Sequence, residues 1–216
     1  FMLLEGKPLI WYSLNTVEKS SVIDECILVT AEKHIDYMRC EIVEKYGFHK
    51  VSAVAPGGSE RWESVANAVQ TLENRKPVKE SYVFIHDGAR PFLNEEILER
   101  VYQAVKEYPA CVAAVPSKDT VRLADESGFA RSTPDRRDVW IIQTPQAFES
   151  GLLIKAYAEL RERADRLGGG NIAVTDDAGV VELFTEQRIR LVEGSYDNIK
   201  VTTPEDMKIA EAFLEA

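Results

Sequence analysis

Asp87 and Arg90 close the segment Tyr82-Val83-Phe84-Ile85-His86-Asp87-Gly88-Ala89-Arg90-Pro91, where a short apolar run ends in a carboxylate, two small residues and a guanidinium. A run of this kind followed by polar punctuation reads as a buried strand delivering its end to a loop. In an open α/β sheet, ligands bind just beyond the carboxyl ends of the strands. A carboxylate there can hold a metal ion or a hydroxyl, and an arginine can meet an anion. Gly88 keeps the turn slim enough for a ligand to approach the backbone. Taken alone, the segment also fits a strand-exit turn with a surface Asp–Arg pair.

Other short stretches carry similar chemistry. Gly57-Gly58-Ser59-Glu60-Arg61-Trp62-Glu63-Ser64-Val65 joins a strand to a helix, whose start offers free N–H groups and a positive dipole end to an anion or a polar base. Its structural alternative is a loop in which Ser59 caps the helix and Glu60 complements the dipole. Lys118-Asp119-Thr120 follows one strand, and Arg136-Arg137 precedes another that leads into Thr144-Pro145-Gln146. Thr175 stands before Asp176-Asp177 as the expected N-cap of a helix. Lys200 sits in the loop after the last strand, where a lone lysine would ordinarily just be solvated. In a parallel sheet, however, strand exits share one edge, so these groups converge on one rim and point to a site that handles phosphates. The glycines are not a Walker loop, because no Gly-Lys-Ser/Thr follows them, and no Gly-x-Gly-x-x-Gly follows a strand. There is no Gly-x-Ser-x-Gly elbow either, which argues against nucleophilic hydrolysis.

The elements that must position these residues alternate along the chain. Helices are expected near residues 9–17, 35–46, 64–72, 95–108, 149–167, 176–183 and 204–215. Strands are expected near residues 25–30, 51–55, 82–85, 111–115 and 189–192. Gly47 is a natural helix stop, and Gly168-Gly169-Gly170-Asn171 reads as a loop. Continuous apolar strands between amphipathic helices imply an α/β fold, with a mostly parallel Rossmann-like sheet covered on both faces. Residues 117–143 break the rhythm and read as an excursion. It is either a β-arm burying its apolar face against a second subunit or a flap on its own subunit.

The 216 residues suit a single α/β domain, and the 45% apolar share permits a proper core. Acidic residues outnumber basic ones 36 to 26, a net charge of -10, which argues against a general nucleic-acid-binding face while leaving room for a locally basic pocket. No apolar stretch reaches the ~20 residues of a membrane span. Cys26, Cys40 and Cys111 are scattered and form no ligand set with His34, His49 and His86, so reduced thiols and a cytoplasmic location are expected. The opening Phe1-Met2-Leu3-Leu4 is apolar from the start and reads as a mid-domain beginning, with a first strand and its loop expected ahead of it.

In order along the chain stand Gly57-Gly58-x-x-Arg61-x-x-Ser64-Val65, His86-Asp87-x-Ala89-Arg90-Pro91, Trp140-x-x-Gln143-Thr144-Pro145-Gln146, Thr175-Asp176-Asp177 and Asn198-Ile199-Lys200-Val201-Thr202. This set resembles the 2-C-methyl-D-erythritol 4-phosphate cytidylyltransferase family, over nearly the whole chain. The resemblance implies a fold of the nucleotide-diphosphosugar transferase type, a homodimer formed through the β-arm, and transfer of CMP from CTP to methylerythritol phosphate with Mg²⁺. Carried over by motif, Gly57, Gly58 and Ser64 would contact the cytosine end of CTP. Asp87, Gly88 and Arg90 would lie around the ribose and the acceptor, with Asp87 also facing the magnesium. Thr144 and Thr175 would contact the acceptor within the subunit, and Thr120 and Arg136 would reach its phosphate across the dimer. Lys200 would neutralise charge on the α-phosphate. Gly88 departs from the family's usual Ala and, being smaller, should leave the pocket open. The family's glycine-rich loop, with an arginine and a lysine against the triphosphate, would precede Phe1. Two alternatives share most of these features: a ribitol 5-phosphate cytidylyltransferase, and a non-catalytic dimeric nucleotide-binding module.

Overall fold

The computed structural model describes residues 2–74, 80–166 and 174–215. The expected Gly168–Asn171 loop lies outside the described residues. The chain opens with a hairpin, β1 (Leu3–Leu4) and β2 (Lys7–Pro8), turned by Glu5 and Gly6 at φ 49° and 73°. Both turn residues are left-handed, as a tight two-residue hairpin turn requires. Then follow α1 (Leu9–Lys19), β3 (Cys26–Thr30), a helical path whose α-helical turn is α2 (Ile35–Tyr37), β4 (Val51–Pro56) and α3 (Arg61–Asn74). β5 (Tyr82–Ile85), α4 (Glu95–Glu107) and β6 (Ala110–Pro116) lead to a small hairpin of β7 (Leu123–Ala124) and β8 (Ala130–Ser132). β9 (Trp140–Glu149), α5 (Ser150–Arg166), α6 (Asp177–Phe184), β10 (Arg190–Glu193) and α7 (Pro204–Glu215) complete the chain.

The expected α/β architecture is present, with one refinement. The largest sheet has the order β10-β6-β9-β5. β10 and β6 are parallel, and β9 runs antiparallel to both β6 and β5, so β10, β6 and β5 share one direction. A separate parallel pair is formed by β3 and β4, and β3 has no second strand partner among the described residues. Trp140–Glu149 is one strand inside this sheet, whereas the sequence suggests an excursion up to residue 143 with Thr144-Pro145-Gln146 beyond a short strand; apolar runs alone encode neither pairing nor direction. β9 begins at Trp140, paired with Pro116, so the last residues of the 117–143 excursion already run in the main sheet.

β6 shows how the layers form. Ala110 and Val112 face a core built with α3, α5 and α6, while Cys111 and Ala113 face one built with α4. That is the alternation a pleated strand imposes, and a strand buried on both faces must be apolar at every position. α4 buries Ile97, Leu98, Val101 and Val105 along one stripe, each worth about 1.5–3 kcal/mol when removed from water. Its start is capped by Asn94, whose side chain accepts from Ile97 N at 3.0 Å. α6 is capped by Asp176, which accepts from Gly179 N at 2.9 Å. Thr175, the expected cap, is instead exposed one residue earlier. Both residue types can cap, and the observed φ/ψ of residue 176 (-153°, 178°) makes Asp176 the last extended residue before the helix.

Candidate functional site

The exit of β5 delivers Asp87 into a group of three cations, Arg90 from its own turn and Arg61 and Lys200 from two other segments. Lys200 Nζ lies 2.9 Å from Asp87 Oδ2, Arg61 Nη2 lies 3.3 Å from Oδ1, and Arg90 Nε lies 3.9 Å from Oδ2. Burial pushes the Asp87 carboxyl up, but the Lys200 hydrogen bond and the charges of Arg61, Lys200 and Arg90 outweigh it and hold it below the usual range. Arg61 enters from the first turn of α3. It also reaches Asp177 Oδ2 at 2.7 Å, and Tyr157 on α5 donates to Asp177 Oδ1 at 2.6 Å. Asp177 is fully buried, so Arg61 ties an enclosed carboxylate to the Asp87 side chain on the rim. Three cations against two carboxylates leave this corner locally positive in a chain of net charge -10.

His86 and Thr144 shape the Asp87 backbone. His86 Nε2 faces Arg90 O at 3.1 Å and Nδ1 faces Thr144 Oγ1 at 2.9 Å. A carbonyl can only accept, so Nε2 carries the proton and Nδ1 accepts from the Thr144 hydroxyl. Burial lowers the imidazole to about 4, so the ring is neutral at physiological pH. Thr144 Oγ1 also accepts from Asp87 N at 3.1 Å. Its hydroxyl proton is therefore committed to His86, leaving the oxygen's remaining lone pair for any further contact. Gln146, one turn of the pleat away, donates to Asp176 Oδ2 and accepts from Ala178 N, both at 2.9 Å, and so docks the start of α6 onto β9.

At the Gly57–Ser64 corner, where the sequence allows a cradle for an anion or a polar base or a capped loop, the helix start is occupied by a side chain of the protein. Glu63 Oε2 accepts from Ser59 N at 2.6 Å, Ser59 Oγ at 2.7 Å and Glu60 N at 3.2 Å, and these bonds hold its carboxyl below the usual range. A protein carboxylate already fills the helix start, which suits an uncharged polar group beside it better than a phosphate. Ser64 Oγ accepts from Gly58 N at 3.0 Å. Gly58 cannot be larger, since a Cβ there would fall 2.2 Å from Glu63 Cβ. Beside Gly88 and Ala89, a cavity of about 250 Å³ is lined mainly by apolar side chains such as Leu28, Val29 and Met38. Ile10 Cδ1 stands 2.5 Å from where a Gly88 Cβ would be, so the space freed by glycine is taken by this side chain.

Of the residues singled out from sequence, Asp87, Arg90, Thr144 and Lys200 come together, with Gly88 adjacent. Gly57, Gly58 and Ser64 form the neighbouring corner, linked through Arg61. Thr175 is exposed before α6 and Thr120 is exposed on the excursion, while Arg136 there donates to Lys118 O at 3.4 Å. Arg61, Asp177, Tyr157, Gln143 and Asn198 were not assigned roles. Four of them lie inside the quoted motifs; Asp177, Gln143 and Asn198 are polar types at positions that are buried, while Arg61 is partly exposed.

Carboxylate, cations and a slim turn at strand exits define an α/β protein built to hold phosphorylated ligands. Comparison with known proteins narrows this class. The family profile for 2-C-methyl-D-erythritol 4-phosphate cytidylyltransferase matches residues 1–216, and the chain belongs to that family of nucleotidyltransferases. The cytidylyltransferase of Lachnospira eligens is 45% identical over 100% of this chain and 90% of its own length. That of Clostridium kluyveri is 42% identical over 98% of this chain and 86% of its own. The crystal structure of 4-diphosphocytidyl-2C-methyl-D-erythritol synthase from Anaerococcus prevotii superposes with a TM-score of 0.87 at 32% identity, covering 100% of this chain and 89% of that one.

Proposed function

We propose that this chain transfers CMP from CTP to 2-C-methyl-D-erythritol 4-phosphate, giving 4-CDP-2-C-methyl-D-erythritol and pyrophosphate, in isoprenoid precursor synthesis. The observation that carries this reading is the Asp87 cluster, in which Lys200, Arg61 and Arg90 converge at the rim in a chain matched end to end by the family. An oxygen of the acceptor phosphate attacks the α-phosphorus of CTP in line, and the bond to the pyrophosphate oxygen breaks. The acceptor phosphate is ionised at neutral pH, so the step needs no general base. Catalysis is then positioning and charge neutralisation.

Lys200 exchanges Asp87 Oδ2 for the α-phosphate, neutralising charge as the two anions meet. Asp87 then faces ribose and acceptor hydroxyls, and Arg90 lies against the acceptor. Gly57, Gly58 and Ser64 receive the cytosine, whose amide-like edge suits a corner already holding a carboxylate. Thr175 contacts the acceptor from the same subunit, as does Thr144 through its free lone pair. Thr120 and Arg136 reach the acceptor phosphate from a second subunit. The exposed Phe129 (73%), Leu123 and Ile141 on and beside the excursion support a dimer through this arm. Among the described residues no cluster of three or more His, Cys, Asp or Glu can hold an ion by itself. A single carboxylate fits Mg²⁺ that is bound largely through substrate phosphates, with Asp87 as its protein ligand. Bound so, the ion would neutralise triphosphate charge. Cys26, Cys40 and Cys111 are free, in keeping with a cytoplasmic location, and no helix among the described residues is long and apolar enough to cross a membrane.

Pyrophosphate release measured with CTP and each polyol phosphate tests the assignment. Turnover with methylerythritol phosphate and not with ribitol 5-phosphate is expected. The reverse preference would replace the acceptor, and CTP binding without release would indicate a non-catalytic module.

A further inference from the structure

Lys200 ends a loop that leaves β10 at Gly194, and the course of this loop is held by side chains with no part in the mechanism above. Gln143, buried on β9, donates Nε2 to Ser195 O at 2.7 Å and accepts from Ser195 N at 3.3 Å. Gly194 lies flat against this carboxamide, since a Cβ there would fall 2.3 Å from Gln143 Oε1. Asn198, fully enclosed, donates Nδ2 to Thr144 O at 2.8 Å, while its own carbonyl accepts from Arg90 Nη1 at 2.8 Å. Val201 N donates to Ala89 O at 2.8 Å. The loop is thus tied to β9 at two points and to the Asp87–Arg90 turn at two more. The half-exposed Lys200 side chain, by contrast, has its ion pair with Asp87.

Asn198 Oδ1 is buried without a hydrogen-bond partner. An enclosed amide with an unpaired oxygen carries a cost, so what favours it here is the bond from its Nδ2 to Thr144 O, a donor that an apolar side chain of that size would not supply. What its Nδ2 supplies is a defined separation between Thr144 and the backbone two residues before Lys200. Resting on the reading of Lys200 as the cation that meets the α-phosphate, we infer that Asn198 and Gln143 are positioning residues that aim Lys200. When Lys200 leaves Asp87 for phosphate, its flexible stem has a fixed origin only because residues 195, 198 and 201 are anchored. A displacement of about 1 Å in a positioned group can cost on the order of a hundredfold in rate.

Asn198→Ala and Gln143→Ala, each alone and combined with Lys200→Ala, test this by pyrophosphate release well below their melting midpoints. Each should lower kcat/KM by roughly 10- to 100-fold when Lys200 is present, and by less than about threefold when it is already alanine. Equal losses in both backgrounds would overturn the inference. If Lys200→Ala is itself silent, the reading of Lys200 fails, and the inference falls with it. Backbone ¹⁵N order parameters give a readout independent of turnover. Residues 195–200 should fall from about 0.85 to below about 0.6 in the variants, with α4 and β6 unchanged. Unaltered order in that loop would overturn the anchoring. Asn198→Asp, which keeps the shape but turns an oxygen toward Thr144 O, should behave as Asn198→Ala and serves where the smaller side chain does not fold.

Discussion

Replacing Lys200 with alanine removes the cation nearest Asp87 without touching the core. The ammonium lies 2.9 Å from Asp87 Oδ2 and the side chain is 44% exposed. Two unit charges about 4 Å apart interact by about 4 kcal/mol at an effective dielectric of ~20, and by about 1 kcal/mol in bulk water. A half-exposed cation meeting an α-phosphate falls between these, at about 2–3 kcal/mol. At about 1.36 kcal/mol per decade this is roughly a 30- to 150-fold loss in kcat/KM. The exposure places Lys200 toward the lower end of the ~10²–10³ range of enclosed electrostatic donors. Stability should hardly change, because exposed ion pairs contribute about 0–1 kcal/mol and Asp87 keeps Arg61 and Arg90 as partners. Lys200→Arg should recover part of the loss, since the charge remains but the planar fork presents it differently. The assay is the initial rate of pyrophosphate release with CTP and methylerythritol phosphate varied in turn, beside a thermal melt. CTP affinity should move less than turnover. A Lys200→Ala enzyme within twofold of the parent rate would refute the role given to this cation.

His86 sets a pH dependence of stability. Its folded value of about 4 lies below the ordinary 6.5, so between these limits the unfolded ring binds a proton that the folded one does not. Stability must therefore rise with pH across this window, and fall as pH drops through it. His86 keeps some solvent contact, so about 1–2 kcal/mol is expected; urea midpoints at pH 7 and pH 4.5 should show that slope in the parent and a flatter one in His86→Gln. Tyr157→Phe deletes the hydroxyl that donates to the enclosed Asp177 and should destabilise by about 1.5–3 kcal/mol, read by urea denaturation. Gly58→Ala drives a methyl into Glu63 Cβ and should weaken CTP binding by about 1–3 kcal/mol in calorimetry. An unchanged affinity there would remove the Gly58–Ser64 corner from the nucleotide site.

How much of this was legible differs from residue to residue. The helix expected near residues 95–108 is α4, because helix formation depends on neighbours within one or two turns. The unbroken apolar run at 111–115 announced a strand buried on both faces. The start of α6 lies one residue later than expected, with Asp176 rather than Thr175 as its cap, since neighbouring residues of capping type are separated only by the backbone angles actually adopted. The start of α3 was left open between a ligand cradle and a capped loop, and the cap is supplied by Glu63, four residues on, rather than by Ser59.

Sequence alone determined the α/β class, the family, and the set of strand exits at which Asp87, Arg90 and Lys200 appear. Those follow from local periodicity and from residue types in a fixed order along the chain. Only the tertiary structure decided that β9 runs against its neighbours and that the Thr144 hydroxyl is committed to His86. It also decided that Arg61 links Asp87 to the enclosed Asp177, which follows Arg61 by 116 residues in the chain. The strength of such contacts is set by distance and burial in space, and separation along the chain carries no information about either.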